Sequence, residues 1–419
     1  MEVKVLGAAR EVGRSAILIK GKKTNIVLDY GIRTGREPAF PINVQPKDID
    51  GVLITHAHLD HSGSTPMLYL SEGVDSYMTG VTADLSALLI QDLIGISGFY
   101  LPFEETELRA MLKRVKRLSL GDEIQIGEFK IKFHGAGHLP GATSLVIDDG
   151  TSRVMYTGDI DINDTTLLNG ANTDYGDLDL VISESTYSQN QHPKRTDVEE
   201  DFVEFATQIV EEGGKLLVPA FATGRAQEIA CVLEKAGFKH PVAMDGLALK
   251  VNDVLMNHLD SLKDPNLFIE SIENCEAVKG WNQRRNVTKN PGVIIAPAGM
   301  MAGGSVLFYN EHLALDSANA ISLVAYQVPG TPGRTLIDKG LVMIRGRRVN
   351  VKAKVKRFDF SGHTGRDGLF ELFGRFKGNP KVLAIHGDEE NCVKFSEEIK
   401  DKFGFDAVAP KAGESFVVK

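Results

Sequence analysis

The stretch ITHAHLDHSG, from Ile54 to Gly63, constrains this chain more than any other. It sets His56, His58, Asp60 and His61 within six residues. Ahead of it, Gly51 to Thr55 is short, apolar and β-branched, which predicts a buried strand. Behind it, Ser62 and Ser64 are suited to cap a helix starting near Pro66. Four polar side chains are thus expected where a strand has stopped and a helix has not begun. Imidazole and carboxylate are ligands that suit zinc and its neighbours. So compact a loop can aim His56 and His58 at one ion, and Asp60 and His61 at a second ~3.5–4 Å away. An ordinary surface loop has no reason to concentrate histidine, and three of the 11 histidines in 419 residues fall here.

The placement recurs along the first half. Val3 to Leu6, Ala16 to Lys20 and Asn25 to Leu28 read as strands separated by Gly-rich turns, the third ending at Asp29. Asp29 is either a turn residue or an acceptor that orients the histidine loop. Helices are expected over Thr82 to Ile94 and Phe103 to Arg117, and paired strands over Glu123 to Phe133 with a turn at Gly127. FHGAGHLPG puts His138 just past a strand, RVMYTGD ends a strand at Asp159, and DLVISEST carries Glu184 at a strand end. Strand ends on one edge of a sheet can converge, which is where α/β folds place chemistry.

The length allows two to three domains. A net charge of −9 gives no general case for a polyanion partner, so any nucleic-acid surface must be local. Cys231, Cys275 and Cys392 are far apart and lack CxxC spacing, which argues against a cysteine metal site and for a reducing compartment. The N-terminus reads as a strand and not as a signal peptide, and no apolar run is judged to approach transmembrane length. A cytoplasmic protein without a membrane is the expectation.

Past Glu184 the pattern changes to alternating strands and helices. Asp197 to Glu212 is an amphipathic helix with Val198, Phe202, Phe205 and Ile209 on one face. GGKLLVPAFATGRAQE reads as strand, loop and helix, with Arg225 at a helix start suited to phosphate. Strands are expected at Pro241 to Met244, Gly292 to Ala296 and Ala320 to Ala325, implying a second α/β domain. The chain then reaches SGH, with His363, and IHGD, with His386, both at strand ends. Lys352, Lys354 and Lys356 alternate with Val351, Ala353 and Val355, as on a strand with one basic face. That face either meets RNA or protects a sheet edge. LKRVKR near Arg114 reads as an exposed helix face. Trp281, beside Arg284 and Arg285, could stack a base, though packing is the commoner fate of a lone tryptophan.

His56, His58, Asp60, His61, His138 and Asp159 together resemble the HxHxDH, downstream His and bridging Asp of the metallo-β-lactamase superfamily. Glu184 in ESTYS, His363 in SGH, His386 in IHGD, and the segments PAFATGRAQE and APAGMMAGG are similar to those of its β-CASP branch, the nucleic-acid-processing nucleases. Within that branch the chain looks like archaeal proteins related to RNase J and to the nuclease subunit of the cleavage and polyadenylation specificity factor. Longer archaeal forms begin with KH domains, for which a first strand at Val3 leaves no room. The resemblance implies an α/β fold, a four-layer αβ/βα sandwich with an inserted α/β β-CASP domain. The expected division is residues 1–185, an insertion over 186–352, and a completing segment over 353–419.

The resemblance also implies a ligand set. His56, His58, His138 and Asp159 would hold one zinc; Asp60, His61, Asp159 and His386 would hold the other, Asp159 bridging. His363, supported by Glu184, would give the leaving oxygen its proton, and Asp60 counts among the catalytic residues as well as the ligands. Arg225, Ser361, Thr364, Lys352, Lys354 and Lys356 are the candidate RNA contacts. The expected activity is two-zinc hydrolysis of RNA phosphodiester bonds, as an endonuclease, a 5′-3′ exonuclease or both, in RNA processing or decay. The alternatives are a DNA-processing β-CASP nuclease and an RNA-binding scaffold subunit of a cleavage complex. DNA-processing members typically carry valine where this chain has His386, which favours RNA. Many relatives are dimers, so a homodimer is expected, with partners in a processing complex left open.

Overall fold

The computed structural model describes every residue except 36, 72, 98, 99 and 419. The chain forms two compact units: Met1–Asp164 with Asn169–Gln191 and Gly362–Lys419, and Thr165–Leu168 with His192–Ser361.

In the first unit, residues of alternating character build two seven-stranded sheets. Along Phe129–Gly135, Phe129, Ile131 and Phe133 are buried while Lys130 and Lys132 are exposed, the period of two expected of a half-buried strand. One sheet runs in the order Ser415–Val417, Glu2–Val5, Ile17–Lys20, Asn25–Leu28, Gly51–Leu53, Ser76–Thr79, Val115–Leu118. The other runs Ala407–Val408, Lys381–Ile385, Leu180–Glu184, Arg153–Tyr156, Thr143–Asp148, Phe129–Gly135, Glu123–Ile126. A core of Val3, Ile17, Leu28, Leu53, Phe133, Leu145, Ile182 and Leu383 joins the two sheets face to face. The outer face of the first sheet packs Val27, Val52 and Met78 against Ala83, Ile90, Leu108 and Met111 of the helices Gly80–Ser97 and Glu105–Lys113. The outer face of the second packs Val181, Val382 and Ala384 against Leu369, Phe373, Phe395 and Ile399 of Arg366–Arg375 and Glu389–Phe403. The order helix, sheet, sheet, helix is the expected four-layer sandwich.

Three expectations need correction here. Asp60 and His61 are already helical, in the short helix Leu59–Ser62, and Ser62 and Ser64 make no side-chain cap; the Ser62 hydroxyl instead donates to the Ala57 carbonyl at 2.9 Å. LKRVKR is not a helix face: the helix stops at Lys113 and Val115–Leu118 is an edge strand paired in parallel with Ser76–Thr79. Gly80–Ser97 is 18 residues long with a mean hydropathy of 1.3, so by length and composition one helix does reach transmembrane dimensions. Packing accounts for part of its apolar character, since Val81, Ala83, Leu85, Ile90 and Leu93 are buried in the unit while Ile96 is exposed.

The second unit is built on a six-stranded parallel sheet in the order Glu276–Val278, Val242–Asp245, Gly292–Ala296, Lys215–Pro219, Ala320–Leu323, Lys354–Arg357, beside a separate antiparallel hairpin of Leu341–Ile344 and Arg347–Asn350. Parallel strands need both faces covered. Phe202, Ile229 and Leu233 cover one face; Val306, Tyr309, Leu313 and Leu336 cover the other. The second unit begins at His192 rather than at 186, and the return to the first falls at Gly362 rather than at 353. The physical reason for the later return is that Lys354–Arg357 pairs with Ala320–Leu323, which keeps it in this sheet. Residues 165–168 join the unit because Thr166 and Leu167 donate their N–H groups to the Glu228 carboxylate at 3.1 and 3.0 Å.

The basic segment is shorter as a strand than its alternation predicts, since Lys352 precedes it. Lys354 meets Glu212 at 2.9 Å and Lys356 meets Asp201 at 2.5 Å, both carboxylates from the helix Arg195–Glu211 or its end. The Lys356 ammonium also lies 4.8 Å from the Phe358 ring centroid. These two lysines serve an edge strand and a neighbouring helix, so they are not carried forward as RNA contacts.

Candidate metal and acid–base site

The parallel pairings fix where the polar strand ends fall. Asn25–Leu28 runs parallel to Gly51–Leu53, and Arg153–Tyr156, Leu180–Glu184 and Lys381–Ile385 run parallel to one another. Within each sheet, then, these C-terminal ends share one edge. Asp29 and His386 leave their strands with φ of 58° and 49°, left-handed conformations that are uncommon outside glycine. The His386 turn is held by its N–H donating to the Ala8 carbonyl at 2.8 Å.

The structure brings all seven expected metal ligands together. His56, His58, His138 and Asp159 form one group, and Asp60, His61 and His386 another, with the candidate ligand atoms of each lying within 4.8 Å of one another. Asp159 faces both. Its Oδ2 is 3.5 Å from His56 Nε2 and 3.6 Å from His138 Nε2. Its Oδ1 is 3.3 Å from His61 Nε2 and 3.3 Å from His386 Nδ1. Asp60 Oδ2 is 3.3 Å from His386 Nε2. Glu184 also groups with Asp159 and His386, which the ligand assignment left out.

Whether these residues suit a cation is decided by what their other atoms do. The Nδ1–H of His61 donates to Asp29 at 2.7 Å, and that of His138 donates to the Gly362 carbonyl at 2.7 Å. Each bond turns Nε2 inward toward the other ligands, the usual orientation of a metal-binding imidazole. Thr55 connects Asp29 to His56: its hydroxyl donates to Asp29 Oδ2 at 2.8 Å and lies 3.1 Å from His56 Nδ1. His56 Nε2 and Asp159 Oδ1 are buried and make no hydrogen bond, an expensive state for polar atoms unless a cation satisfies them. The donor set is nitrogen and oxygen without sulfur, as suits zinc and related ions. The residues present therefore fit a metal centre.

Charge divides the imidazoles: against burial, Asp159 and Asp29 hold His61 well above its ordinary value and Asp159 raises His386, whereas three other rings are depressed. Burial, aided by the neighbouring His61, pushes the His56 imidazole well below its ordinary value, and burial carries His58 down to about 4. Burial likewise lowers His138, with the neighbouring His363 adding to it. These three rings are neutral at pH 7, the form that binds metal. Burial would lower His363 too, but the charges of Glu184 and then Asp159 outweigh it and lift the ring to about 9. Its Nδ1–H donates to both Glu184 oxygens at 3.0 Å, while Glu184 Oε1 also accepts the Ile160 N–H at 2.8 Å. The pair holds His363 Nε2 4.0 Å from Asp159 Oδ2. Asp60, His363 and His58 are the partly open members, the first two at 28% and 19% side-chain exposure against 1–4% for His56, His61, His138, Asp159 and His386.

Other expected site residues behave differently. Asp29 is fully buried and accepts from His61, Thr55 and the Tyr156 hydroxyl, as an orienting acceptor should. Thr364 is also fully buried, and its hydroxyl accepts the Ile162 N–H at 2.8 Å; it fixes the His363 loop to the Asp159 loop and is not available to RNA. Ser361 and Arg225 lie in the second unit. Arg225 does open a helix, Arg225–Lys235, after Gly224 at φ 77°. The Ser361 carbonyl accepts from Arg195 at 2.5 Å. Sequence reasoning missed Thr55 and Tyr156; Thr55 directly precedes His56 and Tyr156 ends the strand that leads to Asp159, and that nearness was the available signal.

Comparison with known proteins agrees with this geometry. Residues 9–198 match the metallo-beta-lactamase superfamily, 226–336 the Beta-Casp domain, and 348–410 the Zn-dependent metallo-hydrolase RNA specificity domain. The chain is 35% identical over 416 residues to "RNase aCSPSF2" of Saccharolobus solfataricus, covering 98% of this chain and 84% of that one. It is 34% identical to "Probable RNase MJ4" of Methanocaldococcus jannaschii, covering 99% of both. A solved structure of a protein of unknown function from Enterococcus faecalis V583 superposes with a TM-score of 0.63 over 99% of both chains at 15% identity, a likeness of fold. With its sandwich, its strand-end histidines and these matches along nearly the whole length, the chain belongs to the β-CASP nuclease family of the metallo-β-lactamase superfamily.

Proposed function

We propose that this chain is a ribonuclease that hydrolyses RNA phosphodiester bonds with two zinc ions, in RNA processing or decay. The observation that carries the reading is Asp159, which turns one carboxylate oxygen to each of two ligand groups. The names of the two relatives and the match of residues 348–410 to an RNA specificity domain support RNA as the substrate.

His56, His58, His138 and Asp159 would hold one ion, and Asp60, His61, His386 and Asp159 the other. Bound there, the metal would supply a nucleophile at neutral pH and positive charge for the phosphoryl oxygens. The chain's own acid–base group is His363. Glu184 keeps the ring protonated and fixes its Nδ1 side, so Nε2–H is the proton aimed at the substrate. That proton neutralises the ribose oxygen as it leaves. Asp29 and Thr55 fix the ring orientations of His61 and His56 before any metal arrives.

The test incubates purified protein with end-labelled RNA and with DNA of the same sequence, with and without chelator. Metal-dependent cleavage of RNA over DNA supports the reading. Preferential cutting of DNA would favour the DNA-processing alternative, and binding without cleavage would favour the scaffold. Circular RNA, offered beside 5′-monophosphate and 5′-triphosphate linear RNA, separates internal cutting from end-dependent cutting.

A further inference from the structure

We infer that Trp281 and Phe308 form a base-stacking platform for single-stranded RNA in the second unit. The identity of the ligand rests on the ribonuclease reading above; the platform rests on its own geometry.

Trp281 is the chain's single tryptophan, and it is 61% exposed. The expectation that it is packed is therefore wrong. It is nevertheless held in place. The Arg284 guanidinium lies 5.0 Å from its ring centroid. Arg284 is itself clamped, donating from Nε and Nη2 to the fully buried Asp245 at 2.7 and 3.0 Å. The buried Tyr309 hydroxyl donates to the same carboxylate at 2.8 Å. Phe308, the neighbour of Tyr309, meets the indole edge-to-face at 5.6 Å, and His312 lies against Phe308 at 4.1 Å. The half-buried Arg284, clamped by the buried Asp245 and Tyr309, thus fixes an aromatic surface that the fold does not cover.

The charge around it selects the ligand. The chain carries 56 acidic residues, yet none occurs from Ala277 to Asn310, a stretch holding Lys279, Arg284, Arg285 and Lys289. The next acid, Glu311, is ion-paired with Arg345. In a protein of net charge −9, this is a locally basic run of the chain, suited to a polyanion. Arg284 is committed to Asp245, so the charge offered to a phosphate comes from Lys279, Arg285 and Lys289 of this stretch; an exposed aromatic ring among these cations suits a nucleobase with its phosphate better than an apolar protein surface. Stacking on such a ring tolerates any base and needs the strand to be single.

Because Trp281 is the only tryptophan, fluorescence excited selectively at the indole, beyond the absorption of the tyrosines, reports on this site alone. The full chain, carrying His363→Ala to suppress turnover, is titrated with an oligouridylate of about ten nucleotides, a length within the span of common single-strand sites. The same backbone with abasic positions is titrated in parallel. The oligouridylate should quench the indole and the abasic strand should not. In the same background, binding followed on a labelled oligouridylate should weaken roughly 5- to 150-fold for Trp281→Ala and stay close to the parent for Trp281→Phe. Absence of quenching together with unchanged affinity in Trp281→Ala overturns the platform. So does a change in self-association of Trp281→Ala, read by sedimentation, with RNA affinity intact. Cleavage of labelled RNA by the unsubstituted chain is scored separately, so failure of the ribonuclease reading is distinguished from failure of the platform.

Discussion

Asp29 is one fully buried carboxylate that takes four donors: the Thr55 N–H, the Thr55 and Tyr156 hydroxyls, and the His61 ring. It reaches His56 only through Thr55. Thr55→Val keeps the shape but removes that connection. We expect it to fold normally and to bind zinc roughly 10- to 100-fold more weakly, the usual effect of losing a group that orients a ligand. Competition with a chromophoric chelator measures this, and unchanged affinity would refute the role of Thr55. His363 poses a separate question. His363→Ala should retain both zinc ions while turnover falls by roughly 10²–10⁴. Replacing the leaving oxygen by sulfur should shrink that deficit, because a thiolate departs without a proton. Loss of zinc, or an equal deficit on the sulfur substrate, would move His363 out of the acid role.

Elements were legible where pattern and burial agree. The strands around Gly51, Phe129 and Gly292 could be read because apolar runs end abruptly at Gly or polar residues. Convergence of Asp29, His56, His138, Asp159, Glu184 and His386 was legible for the same reason. The segment Val115–Leu118 was not: Lys116 and Arg117 disguise an edge strand whose identity depends on pairing with Ser76–Thr79. Nor could periodicity reveal that Lys354 and Lys356 face acids on a helix more than a hundred residues earlier in the chain. That pairing yields a prediction. The double variant Lys354→Gln/Lys356→Gln should leave the salt dependence of RNA binding unchanged, whereas removing a lysine that truly neutralises a phosphate would reduce the slope by roughly 0.7. A reduction of that size would restore the lysines as RNA-binding residues. The strand Phe129–Gly135 carries a second prediction. Burial, then the charges of Lys132 and Arg153, depress the His134 imidazole from 6.5 to about 4. Between those values the unfolded chain takes up a proton that the folded chain refuses, so this contribution to stability is complete above pH 6.5 and is lost as pH falls toward 4. The loss should be roughly 1–3 kcal/mol. Urea unfolding of the wild type and of His134→Gln at about pH 7 and about pH 5 isolates it, and identical pH dependence in the two would exclude it.

At the scale of the whole molecule, both sheets of the first unit are finished by the end of the chain. Ser415–Val417 pairs with Glu2–Val5, and Lys381–Ile385 pairs with Leu180–Glu184. His363 and His386 both come from that returning segment, so the site forms only when residues more than three hundred positions apart have met. The family motifs made this topology readable, whereas the exposure of Trp281 depended on a tertiary anchor that no motif encodes. On the proposed function, two metal ions held through Asp159 would cleave RNA. This is tested most directly by stripping the protein with chelator, adding zinc back in fractional equivalents, and following cleavage of labelled RNA with bound metal counted in parallel. The expected result is no cleavage without metal, binding that saturates at two ions per chain, and loss of both the second ion and cleavage in Asp159→Asn. Full cleavage by metal-free protein, or by Asp159→Asn with both ions retained, would contradict it.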